Sequence, residues 1–118
     1  MAWTKSPQGL VDLFTECLPA DIRIRTRMMF GGPAAFVHGN LFAGVLQDQV
    51  YVRLADDDRA ALEADYGAVD FEPMPGRPMR NYACLPEAVL EDEALVAVYL
   101  GKAFAHVAAQ PPKVKTQK

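Results

Sequence analysis

The sequence has 118 residues, 51% of them hydrophobic, and a net charge of −3, values that suit one globular domain with a sizeable core. It contains no run of roughly 18 apolar residues, as a membrane helix requires, and no apolar signal-peptide core near its start. Residues 56–93 hold eleven acidic and three basic residues, which argues against a protein that coats nucleic acid over its whole surface. We therefore expect a cytoplasmic domain without membrane contact.

The chain opens with a predicted amphipathic helix. Ser6 is a suitable N-cap and Pro7 a suitable first-turn residue, whereas Pro19 ends the segment. The predicted apolar stripe of this helix consists of Leu10, Phe14, Cys17 and Leu18. Residues 1–6 are expected to form a flexible lead-in, and the helix to lie on one face of a sheet.

Residues 22–54 predict a meander of antiparallel strands. Uncharged residues alternate with three arginines at its start, which is the period of a strand. Three short apolar runs follow, at residues 34–37, 41–46 and 50–54. Their spacers are too short for a crossover helix, so we expect hairpins. Gly31 and Gly32 are expected to give positive φ at a bend, since no phosphate-binding motif accompanies them.

The acidic middle of the chain predicts a second helix. Asp56, Asp57 and Asp58 are suited to its N-terminus, where carboxylates accept backbone N–H groups and favour the helix dipole. Their spacing does not fit a calcium-binding loop. Residues 69–72 and 79–85 then predict two strands, joined by an exposed proline-rich loop at 73–78.

A third helix is expected to begin within residues 86–92 and to end near residue 109. Gly101 inside it predicts a close helix–sheet contact, because glycine costs about 1 kcal/mol there relative to alanine. Residues 110–118 predict a basic disordered tail. The predicted fold class is therefore α+β, a single domain with an antiparallel sheet of about five to six strands and three helices.

No recognisable catalytic or metal-binding pattern is present in the sequence. His38 and His106 are isolated, although acid–base chemistry needs positioned partners. Cys17 and Cys84 lie outside any CxxC or Cys/His pattern and predict reduced, buried thiols. We expect a non-enzymatic protein without catalytic residues, cofactor or metal.

Arg23, Arg25 and Arg27 predict the most distinctive surface feature, a row on one face of the first strand. Like charges about 6.5–7 Å apart along a strand repel each other. Carboxylates from the acidic middle could pair with the row, or an acidic protein surface or phosphate could bind it. At a sheet edge the row would also hinder aggregation.

A series of short motifs follows the predicted elements in order. Met29, Phe30, Gly31 and Gly32 end the first strand, and Tyr82 closes a Met-Arg-Asn-Tyr segment. A hairpin at 36–43, a Val-Tyr-Val-Arg strand and a Leu-Pro-Glu segment before the last helix complete the series. In this order the motifs resemble the N-terminal domain of the TfoX/Sxy family of competence regulators, over roughly residues 7–109.

The resemblance implies a secretion-chaperone-like α+β fold and a bacterial protein associated with transcription of DNA-uptake genes. Full-length family members carry a second, helical domain, which the unit at 7–109 lacks. We expect a regulatory protein-interaction domain whose partner is another protein or a second copy of the chain. The candidate partner-binding residues are Arg23, Arg25, Arg27 and Arg80.

Two alternatives stay open for the function. The Arg23, Arg25 and Arg27 face, with the basic tail, could bind nucleic acid, which is less favoured because of the acidic middle. A pocket near Phe30, Tyr82 and Cys84 could instead hold a small molecule.

Overall fold

The computed structural model of the chain describes residues 8–29, 31–67, 69–74 and 77–110, with the backbone alone described at 69–74 and 77–81. The described helices are α1 (Gln8–Cys17), α2 (Asp56–Tyr66), α3 (Glu87–Leu90) and α4 (Glu93–Ala108). The described strands are β1 (Ile24–Met29), β2 (Gly32–Val37), β3 (Asn40–Leu46), β4 (Gln49–Arg53), β5 (Val69–Met74) and β6 (Arg77–Cys84). The predicted α+β class is confirmed.

Several predictions concern residues outside this description. They include the lead-in at 1–6, the Ser6 cap, and the tail beyond residue 110. Among the described helices, none combines the length and the apolar character needed to cross a membrane.

The described strands form one antiparallel sheet in the order β1-β2-β3-β4-β6-β5. The first four strands follow one another as the predicted meander. His38 and Gly39 form the turn between β2 and β3, with φ values of 54° and 81°, because paired positive φ values match the twist of a two-residue hairpin. Strands β1 and β5 are the two edges of the sheet.

The helices cover one face of this sheet. Ala35 pairs with Ala43 while Phe36 pairs with Leu41, so Phe42 is the extra residue of a β-bulge. The bulge turns Phe42 toward the helices, where its ring lies edge to face with Phe104 of α4 at 5.6 Å. Other fully buried residues of this core include Phe14, Val45, Val52, Leu62, Val96 and Leu100.

A smaller apolar cluster lies on the opposite face of the sheet. It consists of Leu46, Tyr51, Tyr82 and Cys84, with Leu41 at its margin. Tyr51 is fully buried and lies across its strand partner Gly44, where an added Cβ would overlap the tyrosine hydroxyl. This close approach explains a glycine in the middle of a central strand.

The last helix differs from its prediction, because it is two helices. Asp92 adopts an extended backbone after α3, and its Oδ1 accepts hydrogen bonds from the backbone N–H groups of Ala94 (3.1 Å) and Leu95 (3.4 Å). Asp92 thereby caps α4 and ends the preceding turn. The predicted close contact at Gly101 is wrong, since a Cβ there would meet no atom of another element within 4 Å.

The predicted start of α2 needs one correction. The helix begins at Asp56, as expected, but its N-cap is Ala55, which offers no side-chain hydrogen bond. The three aspartates lie in the first turn, so they contribute favourable charge at the N-terminus and do not act as the cap.

The predicted loop at 73–78 is strand over most of its length. β5 continues to Met74 and β6 begins at Arg77. Pro73 lies on an edge strand, and Pro78 lies where β6 pairs with β5 but not with β4. Strands accept proline at such positions because one side of the strand has no neighbour to bond.

Candidate functional site

Arg25 and Arg27 lie on edge strand β1, on the face of the sheet opposite the helices. Ile24 packs against the helix-side core, and alternate residues of a strand point to opposite faces. Both arginines are exposed. Arg25 pairs in register with Phe36 of β2, and the Cζ of Arg27 lies 4.7 Å from the centroid of the Phe36 ring. The Phe36 ring therefore supports the Arg27 guanidinium through a cation–π contact.

Arg23 does not belong to this pair. It precedes β1, and its Nε and Nη2 donate to Asp21 Oδ1 (3.0 Å) and Oδ2 (2.8 Å). Its Cζ also lies 5.2 Å from the ring centroid of Phe104 in α4, on the helix side. The predicted row on one face therefore divides, because the chain bends before the strand begins.

The contact with Arg23 changes the pKa of the Asp21 carboxylate. The side-chain and backbone hydrogen bonds from Arg23 lower the pKa of Asp21 to about 2. Arg23 is thus matched by a carboxylate of its own segment.

Arg25 and Arg27 have no such match among the side chains that the structure describes. The ion pairs seen there join Arg23 to Asp21 and Lys102 to Asp58. The Arg25 guanidinium donates to the backbone oxygen of Ile22 at 3.0 Å, and to no carboxylate among the described residues. Within that part of the chain, the acidic middle does not neutralise the arginine pair.

The remaining predicted residues occupy other places. Gly31 has a φ of 82° at the bend between β1 and β2, as predicted, and Met29 pairs with Gly32 across it. Phe30 and the Arg80 side chain lie outside the described residues. Met29, Gly31 and Gly32 thus form the end of the β1–β2 hairpin.

Tyr82 belongs to the smaller apolar cluster, on the sheet face opposite the described helices. Its hydroxyl donates to the Leu41 oxygen at 2.9 Å, and its ring lies edge to face with Tyr51 at 6.0 Å. Burial raises the pKa of Tyr82, an effect that the nearby Arg53 charge partly offsets. These contacts indicate a structural role for the Tyr82 side chain.

A cavity of about 550 Å³ lies beside Cys84, near the turn between β3 and β4. Its lining includes Asp48, Gln49, Gly67 and Glu87. Burial raises the pKa of the Cys84 thiol to about 11, and its Sγ lies 3.6 Å from Gln49 Oε1. A protonated thiol is a poor nucleophile, so the lining offers shape and polar groups rather than an activated group. Among the described residues, no three His, Cys, Asp or Glu side chains converge to hold a metal ion.

Sequence reasoning missed the partner of Arg27. Phe36 was visible as an apolar strand residue, but its position under Arg27 depends on the β1–β2 register. The division of the arginine row was also hidden, because it depends on contacts with Asp21 and with helix α4.

The architecture defines a small α+β protein whose antiparallel sheet is covered by helices on one face. The sequence matches the TfoX N-terminal domain family over residues 16–107. The chain therefore belongs to that family, in agreement with its motifs. No curated protein shows a significant match to the chain.

Proposed function

We propose that this chain is a non-enzymatic, cytoplasmic interaction domain that acts in regulation by binding an acidic protein surface through Arg25 and Arg27. The observation that carries the proposal is the exposed arginine pair on β1, which no described carboxylate neutralises. Membership of the TfoX N-terminal domain family supports a role in transcription regulation.

The arginine pair has the chemistry for such binding. Two like charges about 7 Å apart on one strand face repel, and carboxylates from a partner relieve that repulsion. Guanidinium groups bind carboxylates through paired hydrogen bonds. The Phe36 ring already supports Arg27, so less side-chain freedom is lost on binding.

The buried ionisable groups support a non-catalytic role. Burial raises the pKa values of Cys17, Tyr51 and Cys84, which keeps these groups protonated at neutral pH. Cys17 further donates to the backbone oxygen of Glu93, at 3.6 Å. These groups fit a packed interior better than acid–base or nucleophilic chemistry.

Affinity capture from a native bacterial lysate tests the proposal. The wild-type chain is compared with the charge reversals Arg25→Glu and Arg27→Glu, and with Lys102→Glu as a matched control on helix α4. We expect a partner captured by the wild type and by the Lys102 variant to be lost from both arginine variants. Identical capture by all four proteins would remove the arginine pair from the function.

Nucleic acid is the alternative ligand of the same pair. Binding to a generic DNA duplex should weaken steeply with salt if the arginines neutralise phosphates. The result that favours nucleic acid is a salt-sensitive mobility shift of the duplex that depends on Arg25 and Arg27, with no protein captured from the lysate. We would then conclude that the ligand of the arginine pair is nucleic acid and not an acidic protein.

A further inference from the structure

We propose that the outer edge of β1 binds an extended acidic segment of the partner as an additional strand, with glutamate or aspartate at alternate positions. This inference rests on the proposed function and specifies the partner's conformation and charge pattern. None of the described strands pairs with that edge. The Ile24 N–H already donates to the Asp21 backbone oxygen at 3.1 Å. The remaining outward N–H and C=O groups of β1 form a template for strand addition.

The two edges of the sheet differ in how well they are protected. β5 contains Pro73 and two register shifts against β6, features that hinder pairing with another strand. β1 has six residues in unbroken register with β2 and contains neither proline nor glycine. It spans about 20 Å, which is the length of a typical strand. The available edge is therefore β1.

The charges of β1 decide what can occupy it. In a two-fold antiparallel pairing with a second copy, the central register would place Arg25 opposite Arg27 on both sides, which is unfavourable. An acidic strand reverses this effect, because its carboxylates would lie opposite the arginines. The charges that protect the edge against self-association thus select an acidic partner.

The other face of β1 specifies the intervening positions. Thr26 and Met28 alternate with the arginines, and Met28, near the end of the strand, is 66% exposed. An apolar partner residue opposite Met28 would remove both side chains from water. The partner sequence is therefore expected to alternate acidic and apolar residues.

A labelled peptide in which glutamate alternates with valine tests the mode of binding by fluorescence anisotropy. Peptides N-methylated on all valine amides or on all glutamate amides provide the decisive comparison. Strand addition on one side uses the N–H of every second peptide residue. We expect one methylated peptide to lose binding and the other to keep it, and amide exchange to slow in β1.

The charge requirement is tested with the same peptide. The Arg25→Glu, Arg27→Glu double variant should bind at least about tenfold more weakly, since like charges would then oppose each other. Lys102→Glu should bind as the wild type does. A peptide of the same composition with its glutamates in one block should bind more weakly than the alternating peptide.

The outcomes separate the two proposals. Equal binding of both methylated peptides, or no binding of any, overturns strand addition, while loss of the captured lysate partner from the arginine variants would still support the proposed function. A concentration-dependent dimer in light scattering that the double variant abolishes would also overturn this inference, because a second copy would then occupy the edge.

Discussion

At the scale of single residues, Asp21 and Arg23 form a local unit that sets the chain's entry into β1. The Arg23 backbone N–H and guanidinium both donate to the Asp21 carboxylate, at 2.8–3.0 Å. These three hydrogen bonds favour the charged carboxylate, which explains the lowered pKa of Asp21. The pair holds Arg23 away from Arg25 and Arg27.

This contact predicts a specific pH dependence. The folded pKa of Asp21 is about 2, below its ordinary value of 3.8. Its contribution to stability is therefore present above about pH 4 and is lost as pH falls toward 2. Carboxyl NMR titration should give a pKa of about 2 for the wild type and a higher value, still below 3.8, for Arg23→Gln.

The Arg23→Gln value should stay below 3.8 because the backbone hydrogen bond to Asp21 remains. Lys102→Gln is the control and should leave the Asp21 titration unchanged. An Asp21 pKa that does not respond to the loss of Arg23 would contradict the assigned cause.

Gly44 predicts a large effect of a single added methyl group on stability. A Cβ at this position would overlap the hydroxyl and Cζ of Tyr51, which is fully buried. Gly44→Ala should therefore destabilise the fold by about 1–3 kcal/mol through overpacking. Gly101→Ala is the matched control, because its Cβ has open space in helix α4.

We expect Gly101→Ala to stabilise the protein by up to about 1 kcal/mol, since alanine is the better helix former. Urea unfolding measures both changes. We predict that the two substitutions change the free energy of unfolding in opposite directions. If Gly44→Ala left it unchanged, Tyr51 would not occupy the described position.

At the scale of elements, the two long helices after the meander begin differently. Asp92 caps α4 with its side chain, whereas Ala55 leaves the start of α2 without a side-chain cap. Ala55 already has the extended backbone of an N-cap, with φ −63° and ψ 155°. A polar residue there would meet the geometry that capping requires.

Substitutions at these two N-cap positions should change the free energy of unfolding in opposite directions. Asp92→Ala should reduce the free energy of unfolding by about 1 kcal/mol, and Ala55→Ser should raise it by about 0.5–1 kcal/mol. Thermal and urea unfolding followed by circular dichroism give both values. A destabilising Ala55→Ser would mean that the Ala55 methyl packs in a way that outweighs the new hydrogen bond.

At the scale of the whole molecule, one sheet separates two apolar layers. Helix α4 packs on β2, β3 and β4 from one side, together with α1 and α3. The smaller apolar cluster around Cys84 covers part of the other side. Because both layers share the central strands, we expect them to unfold together.

Leu100 tests this coupling from the helix side. It is fully buried, so Leu100→Ala should destabilise by about 2–5 kcal/mol, whereas Val98→Ala on the exposed side of α4 should change stability by less than about 0.5 kcal/mol. Circular dichroism and pulse labelling of the Cys84 thiol in urea should give the same midpoint in each protein. Labelling of Cys84 before helix loss would show that the two layers open separately.

Sequence patterns were sufficient for most elements. Period-two alternation and turn residues predicted the strands of the meander, and the i, i+4 spacing of apolar residues predicted α1 and the body of α4. These signals are local, so they do not depend on distant contacts. The motif order also predicted the family. Arg25 and Arg27 were predicted as part of a row that also included Arg23.

The tertiary structure decided how those elements meet. Arg23 leaves the row because Asp21 and Phe104 hold it, and Arg27 gains Phe36 because the strands pair in one register. The bulge at Phe42 and the contact of Gly44 with Tyr51 likewise join separate strands. Alternation alone predicts which residues share a strand face, but only pairing and packing decide which side chains touch and which edge stays available.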